Sequence, residues 1–307
     1  MEWIKVFSPA TIGNIGPGFD VLGLAVKGPG DVVEARKTKE GVVISSIESK
    51  YELSKDPEKN TAGIAASEVL KLLGVRGGVE LKIKKGLPSG SGLGSSAASA
   101  TAAAFATNHL YGSVLSKEEL ILPSTKAEER VSGGFFADNT APALLGGATL
   151  TRSCSPLDVT RIGSIRELKI VLVTPDTIVL TKDARSILPE KIPMRDFVFN
   201  MGNSCLITAA FAKDDYRLFA RSLNDAVIEP VRAKLIPAFY KVKESAIKAG
   251  ADGMAISGSG PTVFSVTNDA RKAKRIEDAM VKAFRYGGVV ATSIVTEVDP
   301  VGTRLVQ

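Results

Sequence analysis

"KKGLPSGSGLGSSAASATAAAFA", Lys84–Ala106, gathers Gly86, Gly90, Gly92 and Gly94 into one short loop, then two serines, then a run rich in alanine. Glycine loses more conformational freedom on folding than any other residue, and a loop of this composition buries little apolar area. An ordered loop therefore needs something to compensate, and a ligand is one candidate. A loop that feeds a helix start presents unpaired N–H groups and the positive end of the helix dipole, which suits an anion. The hydroxyls of Ser95 and Ser96 sit at that start, and one of them is within reach of a divalent metal. The same letters also fit a small-residue helix start packed tightly on a sheet, and spacing alone leaves the two readings even. No Lys-Ser or Lys-Thr follows the last glycine, which excludes a Walker A loop. No acid stands about 20 residues on at the end of a second strand, which argues against a dinucleotide fingerprint.

Working outward, the stretch before the loop, "GVELKIKKG", alternates as a strand, with Lys84 and Lys85 read as its solvent side. The segments "WIKVF", "DVLGLAV", "DVVEAR" and "VVISSI" read as short strands, and "NTAGIAASEVLKLLG" as a helix opened by Asn60 and closed by Gly74. A helix is expected from Ser95 to about Tyr111, and helical turns on both sides of Pro123. "SCSPLDVTRIGS" lacks periodicity and marks a boundary. Beyond it come a strand, "LKIVLVTP", a helical region, the strand pair "GMAIS" and "TVFSV", a helix "DARKAKRIEDAMVKAFR" and a last strand. This β, α, β, β, α, β order is the split βαβ pattern of a ferredoxin-like domain.

The bulk properties exclude several classes. The 307 residues are 44% hydrophobic, enough for one large or two moderate domains. The net charge of +6 is spread among interleaved acids, as on solvated helix faces, so no nucleic-acid surface is expected. A basic balance suits anionic small molecules. Two cysteines, Cys154 and Cys205, lack metal-ligand spacing and are expected as buried free thiols. No signal peptide and no membrane span is legible, so a cytoplasmic protein is expected.

"LPSGSGLGSSAA" closely resembles the phosphate loop of the GHMP kinases, which phosphorylate small molecules. "SPATIGNIGPGFDVLGLAV" near the start and "GMAISGSGPTVFSV" near the end resemble that superfamily's other two motifs, in family order. The resemblance implies an α+β, two-domain GHMP-kinase fold. Its parts would be a ribosomal-protein-S5-like α/β domain over residues 1–155 and a ferredoxin-like domain over 156–307. It implies ATP and Mg²⁺. Nucleotide contacts would come from Asn60 and from Pro88, Ser89, Gly90, Ser91, Gly92, Leu93, Gly94, Ser95, Ser96, Ala97 and Ala98. Metal contacts would come from Ser96 and Glu128, with Glu129 as the alternative register.

"ATIGNIGPGFDVLGLA", "ADNTAPALLGG", "TKDARSILP" and "DAVIEPVRAKLIPAF" are similar to the homoserine-phosphorylating branch. That implies ATP-dependent phosphorylation of L-homoserine to O-phospho-L-homoserine for threonine biosynthesis, by a homodimer. The acceptor is a zwitterion with a primary alcohol. Its carboxylate calls for guanidinium forks, which Arg185 and Arg232 offer. Its ammonium calls for a carboxylate, Asp20, and its hydroxyl for neutral partners such as Asn14 and Asn139. Several relatives carry an aspartate base where this chain has Asn139. The expected catalytic set is therefore Ser96, Glu128 and Asn139, with no dedicated base. Phe136 stands where relatives of this branch commonly carry histidine. A shikimate- or mevalonate-type kinase, or a non-catalytic metabolite sensor on the same fold, is the alternative.

Overall fold

The computed structural model describes residues 2–307. Strand β1 (Ile4–Gly13) runs antiparallel to β2 (Leu22–Thr38). The two strands expected on either side of "KGPG" are one long strand. Lys27, Gly28 and Pro29 bulge out between the pairs Ala10–Val26 and Pro9–Gly30, and proline, which lacks an N–H, is tolerated where the ladder breaks. Strand β3 (Gly41–Glu48) returns through α1 (Thr61–Leu73) to a parallel partner, β4 (Gly78–Lys84). Asn60 caps α1 by accepting from the Ala62 amide at 3.0 Å, and Gly74 closes it at φ 63°.

The alanine run forms α2 (Ser95–Leu110), which packs on β1 and β2 and against α1. Ala97, Ala98, Ala100, Ala102, Ala103, Ala104 and Ala106 are all fully buried. Only small side chains let a helix be enclosed on every side at this spacing, so the alanines are what seat the loop's helix in the centre of the fold. In α3 (Ile121–Ser132), Pro123 lies in the first turn, where its missing N–H costs nothing; the helix expected before it is a turn. After α4 (Thr140–Leu145), β5 (Ala148–Cys154) and β6 (Leu157–Gly163) form a hairpin.

Strand β7 (Lys169–Pro175) begins a second sheet. It is followed by α5 (Thr181–Ser186), α6 (Met194–Lys213), α7 (Tyr216–Ser222), α8 (Glu229–Arg232) and α9 (Phe239–Lys248). Then come β8 (Gly253–Ile256), β9 (Val263–Thr267), α10 (Ala270–Tyr286) and β10 (Ala291–Thr296). The order β10-β7-β9-β8 is antiparallel throughout, as a split βαβ unit requires. The apolar runs of β7, β8 and β9 are continuous because both faces are covered there, whereas the edge strand β10 is mostly exposed. Val171, Val173, Met254 and Ile256 face α9 and α10, while Ile170, Leu172, Phe264 and Val266 join a core with Ile12 and Leu24 of the first sheet.

The expected division at 155/156 falls inside the β5–β6 hairpin. Because β6 pairs with β5, the change of sheet comes after Gly163, and the chain end returns to the first sheet as β11 (Arg304–Leu305) on the edge of β1. An edge strand left bare is a template for misassembly, and β11 covers it. Cys154 and Cys205 are both free, but neither is fully buried as expected: Cys154 is half-buried and Cys205 is exposed on α6. Among the described residues no helix is long and apolar enough to cross a membrane.

Candidate active site

The glycine loop takes its shape from three left-handed residues, Gly90, Gly92 and Gly94, at φ 67°, 80° and 65°. A Cβ on Gly92 would meet the Ser257 carbonyl at 2.4 Å, so a side chain there is excluded twice over. Both sheets hold the loop. The Thr11 amide donates to Leu93 O at 3.1 Å, the Thr262 amide to Ser91 O at 3.1 Å, and the Ser257 hydroxyl to Gly92 O at 2.7 Å. With its carbonyls tied back, the loop ends at Gly94, the N-cap of α2, which makes no side-chain cap bond; the first turn holds no acid. This is the geometry of an anion site. Leu93, Ala97 and Ala98 turn their side chains into the core, so they can offer only backbone.

Beneath the loop lies a cluster that the sequence reading missed. Lys85 is buried, not solvent-facing. Its ammonium pairs with Asp31 and donates to Ser95 O at 2.6 Å and Ser99 Oγ at 2.9 Å. Asp31 also accepts from Ser99 Oγ at 2.7 Å and from the amides of Gly86 and Leu87 at 3.0 and 3.2 Å. Lys84 does face solvent, paired with Glu48.

A cleft opens beside the loop and is lined by Ser89–Gly92, Gly94–Ser96, Glu128, Asp20, Asn14, Asp138, Asn139, Arg185 and Arg232. Ser96 Oγ donates to Glu128 Oε2 at 2.8 Å. Burial pushes the Glu128 carboxyl up to about 7, against the pull of the Ser96 bond and the Lys85 charge. Glu129 is exposed, so geometry puts Glu128 in the cleft. A hydroxyl and a carboxylate side by side in the cleft are hard oxygen donors of the kind Mg²⁺ takes. The donor chemistry of the pair therefore fits a magnesium ion.

At the other end of the cleft, Arg185 of α5 holds Asp20 with both terminal nitrogens, at 3.0 and 2.9 Å. Asp20's hydrogen bonds raise the basicity of Arg185. Arg232 is buried at the end of α8, donating to Ala184 O at 3.2 Å and Gly258 O at 2.9 Å. Burial, then the Arg185 charge, pulls its guanidinium below its ordinary value. Asp225 caps the turn that carries it, accepting from the amides of Val227, Ile228 and Glu229. Asn14, at φ 69°, bridges two motifs: it donates to Gly258 O at 2.9 Å and accepts from the Asp20 amide at 3.0 Å. Asn139 accepts from Thr11 Oγ1 at 2.8 Å and lies against the loop; a Cβ on Gly94 would stand 3.0 Å from its Oδ1. Asp138 is buried beside it, and burial, reinforced by the Asp20 charge, lifts its carboxyl to about 7.

Asn60 lies apart from this end. It lines an adjoining cavity with Leu53, Ser54 and Ile83, which shares Ser89, Ser95 and Ser96 with the cleft. Its side chain is already engaged as a cap and as a donor to Ser54 O at 2.9 Å. Pro88 lines a third cavity behind the loop. His109 is outside the cleft and meets Ser113.

The fold and this arrangement define a small-molecule phosphotransferase of the GHMP type. Residues 60–147 match the GHMP kinases N terminal domain and residues 207–285 the GHMP kinases C terminal. The chain is 43% identical over 297 residues to a homoserine kinase of Chloroherpeton thalassium, covering 93% of each. It is 44% identical to one of Arabidopsis thaliana, covering 99% of this chain and 85% of that one. A crystal structure of homoserine kinase from Cytophaga hutchinsonii superposes with a TM-score of 0.95 at 41% identity, covering 100% of this chain and 98% of that chain. The chain belongs to the homoserine kinase family.

Proposed function

We propose that the protein transfers the γ-phosphoryl group of ATP to the side-chain hydroxyl of L-homoserine, giving O-phospho-L-homoserine and ADP in threonine biosynthesis. The observation that carries this is Asp20 and Arg185, side by side with Arg232 in the cleft that the phosphate loop opens onto. An acid and two guanidiniums together complement an α-amino-acid zwitterion, and an acceptor bearing only a carboxylate would give Asp20 no role beyond its pair with Arg185. That disfavours a shikimate- or mevalonate-type acceptor. An intact loop and Ser96–Glu128 pair disfavour a non-catalytic sensor.

In this reading the base of ATP occupies the cavity at Asn60 and its phosphates lie on the loop and the start of α2. Ser96 and Glu128 would hold Mg²⁺, which would supply neutralisation of phosphate charge. Asn139, fixed by Thr11, orients the acceptor hydroxyl. A bond forms between that oxygen and the γ-phosphorus, the bridging bond to the β-phosphate breaks, and the hydroxyl proton passes to a γ-phosphate oxygen. Positioning and charge neutralisation supply most of the catalysis in such transfers. A cytoplasmic homodimer belongs to the same proposal, and the apolar residues that α6 leaves exposed, Met194, Val198 and Met201, supply a candidate face.

An ADP-release assay tests the substrate. L-homoserine should turn over, while 4-hydroxybutyrate, which lacks the ammonium, should lose at least about a hundredfold in kcat/KM. Arg185→Ala should raise the homoserine KM roughly tenfold or more and leave the ATP KM unchanged. Equal turnover of both acceptors would sink the zwitterion reading.

Asp138 tests the base-free mechanism. Asp138→Asn should keep single-turnover transfer within about fivefold of wild type, whereas loss of a true base costs ~10²–10⁴-fold. Its stability effect has a definite sign. With a folded-state pKa of about 7, above the ordinary carboxylate value, protonated Asp138 favours the folded state. That contribution is whole below roughly pH 4 and lost as the pH rises through about 7. Asp138→Asn should therefore melt higher than wild type at pH 8, and the gap should shrink toward pH 5.

A further inference from the structure

Phe136 lines the cleft and Phe19 immediately precedes Asp20, and their rings lie against its guanidiniums, Phe136 against Arg185 and Phe19 against both. The Arg185 guanidinium carbon stands 4.2 Å from the centre of the Phe136 ring and 5.3 Å from that of Phe19. The Arg232 guanidinium carbon stands 4.9 Å from Phe19. Phe19 is thus shared by two like charges. Two cations in one partly buried cleft repel, and long flexible side chains would separate toward water unless something held them. An aromatic face carries negative quadrupole density, attracts a guanidinium and does not compete for its N–H groups. The in-plane donors are held separately: Arg185 by the two oxygens of Asp20, and Arg232 by Ala184 O and Gly258 O.

We propose that Phe19 and Phe136 form an aromatic seat that fixes the planes of Arg185 and Arg232 as a single carboxylate clamp. Both are positioning residues that set affinity for the carboxylate of the acceptor. The seat joins two distant loops: Phe19 follows β1, and Phe136 lies between α3 and α4. It rests on the reading of the acceptor as homoserine, and it assigns Phe136 a purpose that the phosphate chemistry does not give it.

Steady-state kinetics of wild type, Phe136→Leu, Phe19→Leu and Phe136→Tyr test the seat. Leucine keeps the apolar bulk and removes the π face. The homoserine KM should rise about 5- to 30-fold in each leucine variant, with the ATP KM and the magnesium dependence unmoved. Tyrosine at 136 should restore the KM to within about twofold, because it keeps the face. Turnover of 3-aminopropan-1-ol, an acceptor without a carboxylate, should be the same in all four proteins. An unchanged homoserine KM in Phe136→Leu overturns the seat, as does an equal loss with both acceptors, which would mark a general packing role. Phe136 is a part-exposed loop residue, so its variants decide the matter even if Phe19→Leu fails to fold. Absence of homoserine turnover in the wild type would instead sink the acceptor assignment, and the seat with it.

Discussion

Glu128→Gln is expected to lower kcat by about 10²–10³-fold and to raise the magnesium concentration needed for half-maximal rate, because metal neutralisation of phosphate charge is worth several kcal/mol in such transition states. Ser96→Ala should follow in the same direction. Ser96 Oγ and Glu128 Oε2 stand 2.8 Å apart in the cleft, and hard oxygen donors of this kind suit magnesium. Glutamine preserves the volume and can still accept from Ser96, so only the charge is lost. It should not unfold the protein. Burial already disfavours the charged form of Glu128, pushing its carboxyl up to about 7, and a neutral amide is no harder to enclose. Melting temperature should hold while activity collapses. Glu129→Gln is the control: that side chain is exposed, and the variant should behave as wild type. Wild-type magnesium dependence in Glu128→Gln would remove the residue from the metal site.

Much of this was legible in the sequence, and the reasons are local. The loop's three left-handed positions are all glycine, and the alanine run announces a helix enclosed on all sides. The β, α, β, β, α, β order fixes the second sheet because each strand's apolar run reads clearly. What stayed hidden is long-range. Arg185 and Asp20 meet across 165 positions, and nothing near either residue names the other. Stacking of Arg185 on Phe136 is equally invisible, since it depends on how two loops meet. The β5–β6 hairpin was missed because the half-exposed β6 lacks a clean alternation.

The buried cluster is a different case, because its signal was present. Along β4, Val79, Leu81 and Ile83 face inward, and the period of two puts Lys85 on that face and Lys84 outside. Along β2, Asp31 shares its face with Val33 and Ala35. An acid and a base, each on the core side of strands that pair with one another, are an ion pair in waiting. Reading the two lysines as one solvent-facing unit discarded that parity.

Asp31→Ala should therefore be the most destabilising single change considered, by ~3–5 kcal/mol, since it strands a buried cation without its counter-charge. The bonding scheme says why it should exceed Lys85→Met. Asp31 is fully buried and receives Lys85, the Ser99 hydroxyl and the amides of Gly86 and Leu87. Removing it leaves the ammonium with only the neutral acceptors Ser95 O and Ser99 Oγ, and two loop amides without their acceptor. Removing Lys85 leaves the carboxylate with three donors, a smaller loss. The double variant Asp31→Asn/Lys85→Met should recover part of the stability lost by Asp31→Ala, because a neutral pair has no buried charge to strand. Urea denaturation of the three variants measures this. The cluster also grips the phosphate loop at both ends, Gly86–Leu87 before it and Ser95 O after it. Where Lys85→Met stays folded, its ATP KM should rise more than its homoserine KM. A loss confined to homoserine would mean that the pair steadies the fold without setting the loop.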